Sequence, residues 1–255
     1  MDPWHSGNAL VAAVAAVNKK TIVVIHSVGP LILETILALD NVVAVVWAGI
    51  PGQESGNGLV DILYGSTSPS GKLPYTIAKQ QSDYGTALAS GDDSYSEGLF
   101  IDYRHFDHAS ITPRYEFGFG LSYTTFAFSG LTLSSISTST GSTASSPGGE
   151  AGLWDVVATV SATITNNGTV TGAEVAQLYI GLPSSAPTSP PKQLRGFQKI
   201  SLAPSASATV TYSLRRKDLS YWSVANQAWV LPTGTFSVYV GASSRDIRLT
   251  GTLST

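Results

Sequence analysis

The chain has 255 residues, room for one large domain or two ordinary ones, and its 43% apolar content is ample for a packed core. A net charge of −3 gives nucleic acid or an anionic membrane no electrostatic pull. There is no cysteine, which excludes disulfides, thiolate nucleophiles and Cys-based zinc sites, and the four histidines (His5, His26, His105, His108) fall in no metal-ligand spacing.

No metal and no cofactor is therefore expected. Only 12% of residues are charged, and with much Ser, Thr and Gly this is a composition typical of secreted proteins. The opening "MDPWHSGNALVAAVAAVNKK" nonetheless has no basic region ahead of its apolar stretch, which is too short to span a bilayer. It reads as neither signal peptide nor anchor, and secreted-type composition without an export signal predicts a further segment upstream.

Leu10, Val11, Val14 and Val17 follow helical spacing. "TIVVIH" (21–26) is a short β-branched run, apolar throughout, as expected of a strand buried on both faces. "GPLILETILAL" predicts a helix with Pro30 near its first turn, where no amide donor is needed. "VVAVVW" (42–47) predicts a second buried strand, and the Gly-rich "AGIPGQESGNG" leads into a helix through "LVDILYG". The β-α-β-α order implies a parallel sheet with helices on its faces. Two parallel strands within about 75 residues make a small core with unpaired edges, so further strands are expected upstream.

Glu54 falls after a strand and at a helix start, where ligand-facing residues of α/β sheets gather; a helix N-terminus also favours a carboxylate for local reasons. "GQESG" is not a GxSxG nucleophile elbow, because Ser55 comes one position late, and the same loop lacks the Lys-Ser/Thr of a phosphate loop.

The densest chemistry lies in "YSEGLFIDYRHFDHASITPRYEFGFGLSYTTF" (95–126), where Glu97, Asp102, Arg104, His105, Asp107, His108, Arg114 and Glu116 stand among aromatic rings. Glu97, Asp102 and Arg104 join Glu54 as candidate substrate contacts. The competing expectation is structural: an ordered, irregular segment uses Arg beside carboxylates and Tyr to satisfy its own polar groups.

After a Ser/Thr/Gly tract at 134–149, expected to be a flexible loop, short alternating runs recur. "VVATVSATITNNGTV" carries a strand and then an Asn-Gly hairpin signal at Asn167–Gly168. "AEVAQLYIGL", "KQLRGFQKISL", "SATVTYSLRR" and "GTFSVYVGAS" follow with turn residues between them, the pattern of an antiparallel β-sandwich. Its aromatics, among them Trp154, Tyr179, Phe197, Tyr212, Trp222, Trp229, Phe236 and Tyr239, are expected in the core in preference to acting as sugar platforms. Asn167-Gly168-Thr169 is the glycosylation sequon of the chain, usable on a secretory route.

The fold class is thus α/β plus all-β, with residues 1–80 as the end of a parallel α/β-sandwich domain, 81–122 as a connector and 123–255 as a β-sandwich. Several long motifs sharpen this: "DPWHSGNALV", "TIVVIHSVGP", "VVWAGIPGQESGNGLVDILYG", "SPSGKLPYTI", "YSEGLFIDYRHFD", "PRYEFGFGLSYTTF" and "AEVAQLYI" with "PPKQLRGFQKI". Together they resemble the C-terminal part of fungal β-glucosidases of glycoside hydrolase family 3. The resemblance runs from residue 2 to the end. In that family a (β/α)8-like barrel is followed by an α/β-sandwich and a fibronectin type III domain.

The resemblance implies a retaining glycosidase acting on terminal β-linked glucose, in cellobiose and similar β-glucosides. Such enzymes need two carboxylates roughly 5 Å apart, one nucleophile and one acid/base. The family's nucleophile lies in a Ser-Asp-Trp-like segment of the barrel, and its acid/base in a Gly-Glu-Gly-Tyr-like loop a little upstream of Asp2-Pro3-Trp4-His5. Neither segment is in this sequence, so no catalytic residue is assigned. The parent's barrel is expected to cover residues 1–122; without it, the chain is expected to self-associate through the exposed sheet edge of residues 1–65. The parent family is secreted. Two other readings stay open: a stand-alone sandwich acting as an interaction module, and a hydrolase working through Glu54 and Glu97.

Overall fold

The computed structural model describes residues 1–87, 91–139 and 141–255. They divide into two units: residues 1–67 with 73–117, and residues 68–72 with 118–255. The stretch expected to be a separate connector is thus shared out. Its residues to Phe117 cluster with the first unit and those from Gly118 with the second; positions 88–90 of it lie outside the described residues.

The first unit runs α1 (Gly7–Val17), β1 (Thr21–Ile25), α2 (Glu34–Leu37), β2 (Val42–Trp47), α3 (Ser55–Leu63) and α4 (Tyr103–His108). β1 and β2 pair in parallel, with Val23 opposite Val45 and Ile25 opposite Trp47. Their core gathers Val23, Ile25, Leu33, Ile36 and Ile77. The strands are not buried on both faces. β1 alternates, with Ile22 49% exposed between buried Thr21 and Val23, and Val43 of β2 is 56% exposed.

The stripe predicted on α1 is also largely bare: Leu10, Val14 and Val17 are exposed while Ala15 is buried. The helix expected over "GPLILETILAL" shrinks to Glu34–Leu37. Pro30 stands outside it; Leu31 and Leu33 reach the core from irregular backbone, and Ile32 N–H bonds to Met1 O at 3.1 Å. Burial of this apolar run was secured without a full helix.

The second unit is a sandwich. β3 (Phe126–Leu133), β6 (Val156–Asn166) and β9 (Ser207–Arg215) form one sheet in the order β3-β6-β9. β7 (Gly172–Gly181), β8 (Gln193–Leu202), β12 (Thr235–Gly241) and β13 (Ile247–Ser254) form the other, in the order β13-β12-β7-β8. Short hairpins pair β4 (Ser145–Ser146) with β5 (Gly149–Glu150), and β10 (Tyr221–Ser223) with β11 (Ala228–Val230). All pairings in this unit are antiparallel. Alternate residues of the long strands point inward, so Val160, Ala162, Ile164, Ala176, Leu178, Ile180, Val210, Leu214, Phe236, Val238 and Val240 build a continuous core.

Three sequence expectations are corrected here. Asn167–Gly168 is not a hairpin turn: β6 and β7 belong to different sheets, and the Asn-Gly pair opens the crossing between them. The tract at 134–149 is partly organised, since Ile136 is buried and Ser134 and Ser137 bond through backbone to Thr159 and Val157; Thr140 lies outside the described residues. The aromatics split: Tyr179, Tyr212 and Phe236 are buried, whereas Trp154, Phe197 and Trp222 are exposed.

This inequality of cores sets an expected result for amide exchange. Protection tracks the buried contacts that must break for an amide to open. Amides of Ala173–Ile180, in a strand paired on both sides, should exchange only through global opening of the sandwich. Those of Val42–Trp47, in a strand paired on one side, should exchange far faster. Hydrogen-exchange mass spectrometry decides it, and equal strong protection in both segments would contradict the argument.

Candidate functional site

Two places in the first unit carry polar side chains where chemistry is conceivable. The first is a cavity of about 480 Å³ at the carboxyl ends of β1 and β2, lined by His26, Ser27 and Val28, by Gly49–Gly52, and by Ser55. This is where open α/β sheets receive ligands. Glu54 caps the start of α3 beside it, but its side chain makes no bond to the helix amides. It is exposed and accepts a hydrogen bond from Asn57 Nδ2 at 2.5 Å.

The second place is the stretch 95–117. Asp102 has φ 52° and its carboxylate is consumed locally: it accepts from Thr76 N at 2.8 Å, from Thr76 Oγ1 at 2.9 Å and from Tyr103 N at 2.6 Å. It anchors the start of α4 to buried Thr76 and so opposes the strain of its own backbone. Arg104 is half-buried, and its Nε is buried with no hydrogen-bond partner among the described residues. Glu97 is half-buried, and no hydrogen bond or ion pair joins it to Glu54 among the described residues.

The rest of the stretch is spent on packing. Tyr103 stacks on Phe117 with centroids 4.7 Å apart, and Phe100 on His108 at 4.2 Å. His105 Nε2 meets Asp83 O at 3.1 Å. Arg114 forks onto Glu34, its Nε donating to Oε1 at 2.5 Å and its Nη2 to Oε2. That guanidinium bond, more than any longer-range attraction, holds the Glu34 carboxyl below the usual carboxylate range. Sequence reasoning did not find this pair, because eighty positions separate its members and no short motif links them.

No hydrogen bond or ion pair joins any two of the four candidates among the described residues. Asp102 serves backbone, Glu54 serves α3, and Arg104 and Glu97 stand half-buried in the aromatic segment. The described residues hold no group of three His, Asp or Glu able to bind a metal ion, and no helix long and apolar enough to cross a membrane.

A parallel β-α-β unit followed by sheets ordered β3-β6-β9 and β13-β12-β7-β8 defines an α/β domain joined to a fibronectin type III-like sandwich. Residues 1–123 match the Glycosyl hydrolase family 3 C-terminal domain, and residues 174–244 the Fibronectin type III-like domain. The chain belongs to glycoside hydrolase family 3 and corresponds to the C-terminal part of its fungal β-glucosidases.

It is 66% identical to the "Probable beta-glucosidase L" of Aspergillus terreus over 258 aligned positions, covering 100% of this chain and 35% of that protein. The crystal structure of β-glucosidase D2-BGL from Chaetomella raphigera superposes with a TM-score of 0.97 at 70% identity, over 99% of this chain and 36% of that one. The β-D-glucoside glucohydrolase of Trichoderma reesei gives 0.95 at 63%, with the same coverage. The chain thus spans about a third of the length of the relatives it matches.

Proposed function

We propose that this chain is the C-terminal part of a retaining β-glucosidase, one that releases terminal β-D-glucosyl residues from cellobiose and related glucosides in polysaccharide breakdown. The observation that carries the reading is the 66% identity along the whole chain to a probable β-glucosidase of which it spans 35%. On this reading residues 1–80 end an α/β-sandwich domain, 81–122 connect, and 123–255 form the fibronectin type III-like domain. The parent's barrel packs over residues 1–122. The exposed Leu10, Val14, Val17, Ile22 and Val43 support that packing, since apolar surface of this kind normally faces a partner.

Retaining hydrolysis needs two carboxylates flanking one bond. We assign neither to this chain and place both in the remainder of the parent enzyme. Glu54, tied to Asn57, and Asp102, consumed by Thr76 and Tyr103, then act as local structural groups. Glu97 and Arg104, half-buried within the aromatic segment, are given no catalytic role. The parent is secreted, and Asn167, exposed at the crossing between sheets, is its glycosylation acceptor.

The test is direct. The purified chain should hydrolyse an aryl β-glucoside no faster than buffer does, since retaining turnover needs both carboxylates and this reading gives the chain neither. Turnover that vanishes in Glu54→Gln or Glu97→Gln would overturn the assignment and install the lost residue as catalytic.

A further inference from the structure

Two of the sandwich's tryptophans lie well open to solvent. Trp154, in the turn before β6, is 40% exposed, and Trp222 on β10 is 46% exposed. Trp222 and Trp229 are directly opposed across the β10–β11 hairpin, with ring centroids 5.8 Å apart at 69°. Lys217 joins the hairpin to Trp154: its Nζ is 4.6 Å from the Trp154 ring and 4.8 Å from the Trp229 ring. Arg215 adds a second cation, 5.6 Å from Trp154. Trp154, Lys217, Trp229 and Trp222 are therefore one contiguous surface, which the 74%-exposed Val224 of the hairpin extends.

This arrangement is not needed to fill the core, where Tyr212 and Phe236 already pack. Indoles left half in water forgo burial that would stabilise the fold, yet here Lys217 and Arg215 lie over the Trp154 ring and Trp222 packs against the edge of Trp229. Rigid aromatic rings with few torsions bind at low entropic cost, and this is how aromatic anchors earn their prominence in recognition surfaces. The charges on the segments that carry them are mixed, Arg215, Arg216 and Lys217 with Asp155 and Asp218, which disfavours a polycation and gives a polyanion no uniform field.

We propose that this surface binds a neutral β-linked glucan chain. The exposed indole surfaces of Trp222 and Trp154 pack on the C–H faces of pyranose rings, while Arg215, Lys217 and Asp155 exchange hydrogen bonds with ring hydroxyls. The choice of a β-glucan among neutral polymers rests on the β-glucosidase reading above; the aromatic surface itself does not depend on it.

Depletion of the full chain by insoluble β-1,4-glucan, measured over a range of protein concentrations, tests the proposal. Saturable binding is expected, competed by soluble β-1,4-gluco-oligosaccharides and not by α-1,4 ones. Loss of two stacking rings should weaken it about tenfold or more in Trp154→Ala/Trp222→Ala. Trp154→Tyr/Trp222→Tyr should restore most of it, with the thermal unfolding midpoint of every variant close to that of the parent chain. No saturable depletion, an unchanged affinity in the double alanine variant, or equal competition by α-glucans would overturn the proposal. Because binding is read without turnover, its failure and that of the glucosidase reading are separable. Depletion without activity in the complete enzyme sinks only the catalytic assignment; activity without depletion sinks only this one.

Discussion

Asn166→Ala should be among the most damaging single substitutions in the sandwich, although it removes no apolar contact of note. Asn166 is fully buried at the end of β6. Its Oδ1 accepts from Thr124 Oγ1 at 2.6 Å and from Gly168 N at 3.0 Å, and its Nδ2 donates to Val170 O and Leu202 O, both at 2.8 Å. One amide thus ties together the approach to β3, the crossing from β6 to β7, and the end of β8. Alanine leaves several of these groups short of a partner, and each buried unsatisfied group costs about 1–3 kcal/mol. With water reaching some of them, the net loss should be about 3–5 kcal/mol.

Asn166→Asp should do no better, since it keeps the acceptor but turns a second oxygen towards two carbonyls. Denaturant unfolding followed by tryptophan fluorescence would show the midpoint falling with an unchanged slope. A loss below about 1 kcal/mol would mean that the surrounding groups re-pair without the amide.

The same corner shows where sequence reading stops. The alternating strands of the sandwich were legible because one face of each is buried, and inside/outside alternation at period two is a local signal. "TITNNGTV" also carried a strong local signal, for a hairpin, and it misled. What decides between a hairpin and a crossing is whether the next strand joins the same sheet, and that depends on partners tens of residues away. Gly168 is required here by close approach, since a Cβ would lie 2.2 Å from Thr124 Oγ1, and by no hairpin geometry.

The apolar runs of the first unit misled in a related way. "TIVVIH" reads as buried on both faces, yet in the described residues β1 pairs only with β2 and leaves Ile22 half exposed. The composition reports the burial these residues are suited to, and the family match supplies its physical sense. For the candidate site, sequence located the dense stretch and the helix start at Glu54. It could not show that Asp102 turns to Thr76, because that depends on a backbone at φ 52° which no residue type in the segment announces.

Lys72→Ala is expected to match Asn166→Ala in size for a different physical reason. Residues 68–72 cluster with the sandwich although their flanking residues belong to the first unit. Ser68 bonds to Ser122 at 2.8 Å, and Gly120 runs so close to Gly71 O that a Cβ there would stand 2.2 Å away. The segment ends in an ion pair, Lys72 Nζ to Glu174 Oε1 at 2.8 Å, with side chains only 13% and 8% exposed. Lys72 also donates to Gly120 O at 3.2 Å, and Glu174 Oε1 accepts from Val175 N at 2.8 Å.

A buried pair contributes little net stability relative to an apolar replacement, but removing one partner strands the other charge at a cost of about 3–5 kcal/mol. Lys72→Ala should therefore lower sandwich stability by an amount in that range. Lys72→Met combined with Glu174→Gln should recover much of it, because no uncompensated charge remains. A double-mutant cycle measures the coupling, for which 1 kcal/mol or more is expected from two groups in direct contact. If the two single substitutions simply add, the pair is not coupled, and residues 68–72 are held to the sandwich by backbone approach and by hydrogen bonds such as those of Ser68 to Ser122 and Tyr123.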